Sequence, residues 1–323
     1  MPDETHEMTS APQNGPLLSV VVPCFNEQDV IEPLHSRLLQ VLGPEKIDFE
    51  IIFVNDGSKD RTAEMLDAIC RSDPRFKAIH FSRNFGHQAA VTAGLHEAKG
   101  QCAVVIDADL QDPPELILDM LRLWQQGYQV VYAQKTEREG AGFLIGHAYR
   151  MFYRIVGRLS EVEIPVDTGD FSLMDRQVVD LLNSMPERNR YVRGLRAWLG
   201  FKQTAIKFER PARYAGQTKY SFGKLVGLAT DGLMSVSKAP LRLAMYMGFL
   251  ASAGSFLLGI FFAIEQILGY SHTARGWAST IVVILFLGGV QLICIGVIGE
   301  FIGRIYDEVK QRPLYVVARS TGL

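Results

Sequence analysis

Ala103-Val104-Val105-Ile106-Asp107-Ala108-Asp109-Leu110-Gln111-Asp112-Pro113-Pro114 contains a complete strand and its end. The first four residues are apolar and mostly β-branched, as in a strand buried on both faces. The run stops on two carboxylates one residue apart, and two prolines follow. Working outward, similar short apolar runs occur at Leu18–Val22, Glu50–Asn55, Ala78–Phe81 and Gln129–Tyr132. Amphipathic stretches with helical spacing separate them, at Asp29–Leu42, Thr62–Cys70, Gln88–Ala98 and Glu115–Gln126. Strands alternating with helices predict βαβ units, and therefore an α/β fold with a mainly parallel sheet. In such sheets ligands bind beyond the carboxyl ends of the strands.

Those ends are polar. The first strand runs into Pro23-Cys24-Phe25-Asn26-Glu27, the second into Asn55-Asp56-Gly57-Ser58 and the third into Ser82-Arg83-Asn84. Carboxylates gathered on one sheet edge repel unless they meet a cation or a donor-rich ligand. Hard oxygen ligands such as Asp107 and Asp109 suit Mg²⁺ or Mn²⁺ bridging to a diphosphate. No G-x-G-x-x-G follows the first strand, and the chain has no G-x-x-x-x-G-K-[ST]. A nucleotide would have to be held without a glycine-rich phosphate loop, which points to a diphosphate leaving group neutralised by metal.

Further along, Asp167-Thr168-Gly169-Asp170-Phe171 precedes a short apolar strand, and Asp170 reads either as a functional carboxylate or as a cap. Arg213-Tyr214-Ala215-Gly216-Gln217-Thr218-Lys219 could close over phosphates or lie against anionic lipid. Arg150, Arg154 and Arg158 recur every four residues among apolar neighbours, and Arg188, Arg190, Arg193 and Arg196 form a second cluster. Either set fits headgroups or an acceptor phosphate, and equally a solvated, salt-bridged face.

The last third of the chain changes character. Leu243–Ile264 and Gly276–Gly299 are charge-free runs of 22 and 24 residues. At 1.5 Å per residue each spans about 33–36 Å, enough for a bilayer core. Lys219, Lys224, Lys238 and Arg242 precede the first run, and Arg304, Lys310 and Arg312 follow the second. The loop between them, 265–275, carries one Glu and one Arg, so the positive-inside bias predicts both ends in the cytoplasm. Residues 1–16 read as a disordered tail, 17–220 as the α/β domain, 221–239 as a juxtamembrane amphipathic segment and 301–323 as a cytoplasmic tail. The net charge of −2 gives no sign of nucleic-acid binding. The four cysteines, Cys24, Cys70, Cys102 and Cys294, form no paired motif and read as reduced structural thiols.

Taken together, Ser19–Glu27, Val54–Asp60, Asp107–Pro114, Asp167–Phe171, Arg213…Lys219-Tyr220 and Gly299–Tyr306 resemble family 2 glycosyltransferases with the GT-A fold. Within that family they are similar to the polyprenyl-phosphate branch, over about residues 17 to 315. The resemblance implies that Pro23, Asn26 and Glu27 line the nucleotide pocket and that Asp56 contacts base or ribose. It implies that Asp107, Asp109 and Gln111 hold Mg²⁺ or Mn²⁺, Arg213 and Lys219 clamp phosphate, and Asp170 is the catalytic carboxylate. Arg150, Arg154 and Arg193 are then the candidates for the acceptor phosphate. The implied reaction is inverting transfer of a hexose, glucose from UDP-glucose, onto undecaprenyl phosphate at the cytoplasmic membrane face, by a homo-oligomer, a tetramer in bacterial relatives. Amino-arabinose derivatives, N-acetylglucosamine and mannose stay open as the sugar. A processive polysaccharide synthase and a non-catalytic membrane scaffold are the rival readings. The first is opposed by two spans where such synthases have many, the second by retention of all three aspartates.

Overall fold

The computed structural model describes residues 15–135, 168–188, 190–208, 239–268 and 277–323. Eight strands form one sheet in the order β7-β5-β6-β4-β1-β2-β3-β8. They are β1 (Leu18–Cys24), β2 (Phe49–Asn55), β3 (Phe76–Phe81), β4 (Cys102–Val105), β5 (Val130–Lys135), β6 (Thr168–Asp175), β7 (Gln203–Phe208) and β8 (Val317–Thr321). Helices α1 (Ile31–Leu42), α2 (Thr62–Ser72), α3 (His87–Glu97) and α4 (Leu116–Gln125) connect the early strands. Two short helices, α5 (Arg176–Ser184) and α6 (Val192–Trp198), follow β6.

The central strands are apolar on both sides because both faces are covered. Leu18, Val20 and Val22 of β1 pack with Leu34, Leu38, Leu66 and Met120 of α1, α2 and α4. Val21 points the other way, into a second core with α3 and α5. α3 approaches so closely that a Cβ on Gly94 would stand 2.2 Å from Val21 Cγ1.

β1 pairs in parallel with β2 on one side and β4 on the other. Chain order therefore reverses between β1 and β4, which opens a crevice beyond their carboxyl ends. Pro23 marks the opening. Val21 O accepts from Ile106 N at 3.0 Å, on the β4 side. Two residues on, Pro23 faces the same side beyond the last paired residue, where its missing N–H costs no ladder bond.

β6 runs antiparallel to β4, with Val105 opposite Ser172. Its beginning therefore lies at the edge where β4 ends, and Asp170 reaches the level of Asp107. The sequence reading placed Asp170 before a strand, whereas it is the third residue of β6.

The end of the chain also differs from the expected tail. Val317–Thr321 forms β8, antiparallel to β3. Asp67 on α2 anchors it, accepting from Arg319 Nη1 and from Thr321 Oγ1 at 2.8 Å each. These bonds overcome the effect of burial and lower the Asp67 pKa to about 2.

Helices α7 (Ala239–Ile267) and α8 (Trp277–Lys310) form a second compact unit. Both are long and apolar enough to cross a membrane, by length and composition. At 29 and 34 residues they measure about 43 and 51 Å. α8 thus continues as helix well past Gly299, where the sequence reading ended the span. Phe249, Leu250, Leu292 and Val309 are each at least 70% exposed. Rows of exposed apolar side chains of this kind need a non-aqueous neighbour.

Candidate active site

The loops after β1 and β2 are tied together. Asn26 adopts φ 54°, its Oδ1 accepts from Lys59 N at 2.8 Å and its N donates to Ser58 Oγ at 2.9 Å. Glu27 N donates to Thr62 Oγ1 at 2.9 Å. Left-handed backbone suits Asn, whose side chain bonds locally. The result is a fixed rim at the carboxyl end of β1, with Asn26 exposed and Glu27 half-buried.

Asp56, buried at the end of β2, holds the next loop. Its Oδ1 accepts from Phe85 N at 2.6 Å and its Oδ2 from Gly86 N at 2.9 Å. Burial raises its pKa and outweighs these two amides, which lower it. Gly57 lets the turn form: its φ is +66°, and a Cβ there would lie 2.3 Å from the carbonyl carbon of Arg83. Asp56 thereby fixes the residues that begin α3.

At the end of β4 the turn carrying Asp107 and Asp109 is strained. Leu110 has φ 57°, a conformation costing a bulky residue roughly 1–2 kcal/mol. Its side chain is buried in the core, which offsets that cost. The turn lets Asp109 Oδ1 accept from Gln111 N at 3.1 Å. Among the described residues no three His, Cys, Asp or Glu side chains stand together as a metal cage. A Mg²⁺ or Mn²⁺ ion shared with a diphosphate does not need one, because one or two carboxylates suffice and phosphate and water complete the shell. The strained turn with Asp107 and Asp109 fits that donor set. Gln111 is 7% exposed, and its backbone N–H serves the turn.

Asp170 is the most heavily engaged carboxylate. Arg193 Nε donates to Oδ1 at 2.9 Å, and Oδ2 accepts from Arg193 Nη2 at 3.3 Å, from His87 Nε2 at 3.1 Å and from Gln88 Nε2 at 3.2 Å. Burial alone would raise its pKa. The His87 hydrogen bond and the Arg193 charge overcome this and hold it well below the usual carboxylate range. Arg193 also donates to Thr168 O at 2.7 Å, and its pKa is raised because Asp170 outweighs burial. Gln88 ties the group to α6, its Oε1 accepting from Val192 N at 2.9 Å. His87 Nε2 lies 3.7 Å from Asp107 Oδ1 as well. Burial lowers the His87 pKa, but the Asp170 bond and the charge of Asp107 more than reverse this. One ring thus joins the carboxylate at the end of β4 to the carboxylate of β6.

Of the residues singled out in the sequence, Pro23, Asn26, Glu27, Asp56, Asp107, Asp109, Gln111 and Asp170 occur at one edge of the sheet. Arg193 joins them, though paired with Asp170. Arg150, Arg154, Arg213 and Lys219 lie outside the described residues, as do residues 1–14 of the N-terminal tail and 221–238 of the juxtamembrane segment. His87 and Gln88 were missed by the sequence reading. Their only signal is position, directly after Gly86 at the start of the helix that follows a strand.

A crevice at a sheet switch point, edged by D-x-D and facing a buried carboxylate, fits a sugar transferase. Residues 19–182 match the model of glycosyl transferase family 2, and residues 239–305 match the GtrB C-terminal hairpin. The chain belongs to glycosyl transferase family 2: it is a glycosyltransferase with a GT-A fold. Among its relatives it is 50% identical over 305 residues to the uncharacterized glycosyltransferase YkcC of Bacillus subtilis (strain 168), covering 94% of each chain. It is 40% identical over 303 residues to the bactoprenol glucosyl transferase of Shigella phage SfII, covering 94% of this chain and 98% of that one. A crystal structure of glucosyl-3-phosphoglycerate synthase from Mycobacterium tuberculosis with Mn²⁺, UDP-glucose and phosphoglyceric acid aligns over 67% of this chain and 76% of that one, at TM-score 0.46 and 21% identity.

Proposed function

We propose that this chain transfers glucose from UDP-glucose to undecaprenyl phosphate, with inversion, at the cytoplasmic face of the membrane. The observation that carries the reading is His87 between Asp107 and Asp170, at 3.7 and 3.1 Å. It supports a donor diphosphate on the β4 side and an acceptor on the β6 side, close enough for direct transfer. The bactoprenol glucosyl transferase relatives and the matched hairpin support the lipid acceptor. The exposed apolar rows of α7 and α8 and the basic flanks support a membrane hairpin with both ends cytoplasmic.

In this reading an oxygen of the lipid phosphate attacks the anomeric carbon. The bond from that carbon to the diphosphate oxygen breaks, and its electron pair leaves with UDP. Asp107, Asp109 and Gln111 would hold Mg²⁺ or Mn²⁺, which when bound offsets the charge gathering on the diphosphate. Pro23, Asn26, Glu27 and Asp56 frame the nucleotide side, and Arg213 and Lys219 are assigned to phosphate. Arg150 and Arg154 remain assigned to the acceptor phosphate.

Asp170 acts by orientation. A phosphate monoester, with its second pKa of about 6, is largely ionised at neutral pH and needs little base. A carboxylate held far below its usual range is also a weak base. Its bonds to Arg193, His87 and Gln88 instead fix three donors around the acceptor side.

A donor screen tests the sugar. The purified chain, with Mg²⁺ and undecaprenyl phosphate, is offered UDP-glucose, UDP-N-acetylglucosamine, GDP-mannose or a UDP-amino-arabinose derivative. UDP-glucose should give by far the highest kcat/KM. Preference for another donor would replace glucose and leave the acceptor reading standing.

A further inference from the structure

Of the arginines after β6, Arg176, Arg190 and Arg193 are half-buried and give hydrogen bonds to the protein, although Arg176 Nη2 and Arg190 Nε lack an acceptor among the described residues. Arg176 Nε donates to Gly100 O at 2.9 Å and Nη1 to Asp180 at 3.2 Å. Arg190 donates to Leu182 O and Met185 O, capping α5. Arg193 serves Asp170 and Thr168 O. Arg196 is 3% exposed, yet it makes no hydrogen bond among the described residues, and its Nε is a buried donor without an acceptor. Its guanidinium carbon lies 5.5 Å from the centre of the Tyr132 ring. A ring face attracts a cation but satisfies none of its five N–H groups. A buried charge left in this state is costly unless something else completes it.

The surroundings define what that is. Arg193 donates to both oxygens of Asp170, and Arg196 gives that carboxylate no hydrogen bond. Burial lowers the Arg196 pKa to about 10, which keeps it cationic at neutral pH. Tyr132 pairs with Ser172 of β6, and Ser172 pairs with Val105 of β4. The guanidinium is therefore level with the end of β4 but two strands to the side, on the Asp170 side of the crevice. The loops of Asn26 and Asp56 lie on the opposite side of β4.

We propose that Arg196 is a phosphate-binding residue of the acceptor site, giving its N–H fork to the phosphate oxygens of the lipid. The planar fork matches phosphate in a way an ammonium does not. The inference rests on the proposed function, which makes the acceptor a phosphate monoester.

The test compares wild type, Arg196→Met and Arg196→Lys as full-length chains in lipid nanodiscs. Binding is measured for undecaprenyl phosphate, for undecaprenol and for UDP-glucose. Replacing a buried charge by an apolar side chain of similar length is commonly neutral for folding, and UDP-glucose affinity checks the fold. Loss of charge-assisted hydrogen bonds should weaken undecaprenyl phosphate binding by about tenfold or more in Arg196→Met. Undecaprenol and UDP-glucose binding should stay within about twofold of wild type on the same scale. Arg196→Lys, which folds with its charge retained, should fall between the two. Wild-type discrimination between phosphate and alcohol in both variants would overturn the proposal, as would a loss confined to UDP-glucose. A wild-type chain that itself fails to discriminate would overturn the functional reading, and this proposal with it.

Discussion

Replacing Asp170 by Asn separates orientation from base catalysis. The substitution keeps shape but removes the charge that Arg193, His87 and Gln88 all face. Deleting one partner of a buried ion pair costs about 3–5 kcal/mol. Arg193 keeps 30% side-chain exposure, and an Asn oxygen still accepts one bond, so the lower end, about 3 kcal/mol, applies. For a domain of this size that lowers Tm by roughly 6–12 °C. The donors would also lose their common anchor, and a displacement of about 1 Å near reacting atoms costs on the order of 100-fold in rate. The assay is glucose transfer to undecaprenyl phosphate from pH 6 to 9, alongside a thermal melt. Because Asp170 is already ionised throughout this range, the deficit of Asp170→Asn should be the same at every pH. A deficit large at pH 6 that vanishes by pH 8, with an unchanged Tm, would refute the argument and make Asp170 the base.

Other outcomes follow from the same geometry. Asp56→Asn places an NH₂ donor against the amides of Phe85 and Gly86, and should lower both donor affinity and kcat because the start of α3 carries His87 and Gln88; unchanged kinetics would remove Asp56 from the positioning chain. Gly57→Ala meets the backbone of Arg83 at a left-handed φ and should lose more than the roughly 1–2 kcal/mol of conformational strain alone, read as a fall in chemical-denaturation midpoint. Asp67→Ala removes the acceptor of Arg319 and Thr321 and should cost roughly 1–3 kcal/mol, with β8 amides exchanging faster. Because the Asp67 pKa is lowered to about 2, its contribution is present above its unfolded value, near 4, and is lost as pH falls through 2; the variant should show a flatter stability profile there.

Much of the sheet was legible because its strands are buried on both faces. The apolar runs before Pro23, Asp56, Ser82 and Asp107 mark β1 to β4, and the polar residue ending each run marks the functional edge. β6 was only half visible, since Thr168-Gly169-Asp170 interrupts the apolar pattern although Thr168 still pairs with Gln134 of β5. β8 is short, polar and mostly exposed, and only its pairing with β3 and its hold on Asp67 make it a strand. The union of Asp170 with Arg193 crosses 23 residues, and with His87 it crosses 83. No local spacing encodes such contacts. The arginine cluster was visible as charge, but not that Arg193 is committed to Asp170 while Arg196 is not.

The most direct measurement is NMR of the lipid product. The full-length chain is incubated with UDP-glucose, Mg²⁺ and undecaprenyl phosphate, and the organic phase is analysed by ¹H and ³¹P spectroscopy. One glucose should be joined to one phosphate in the β configuration, inverted from the donor, with UDP released in equal amount. Free glucose without a lipid product, a water-soluble polymer or an α-linked product would contradict the account.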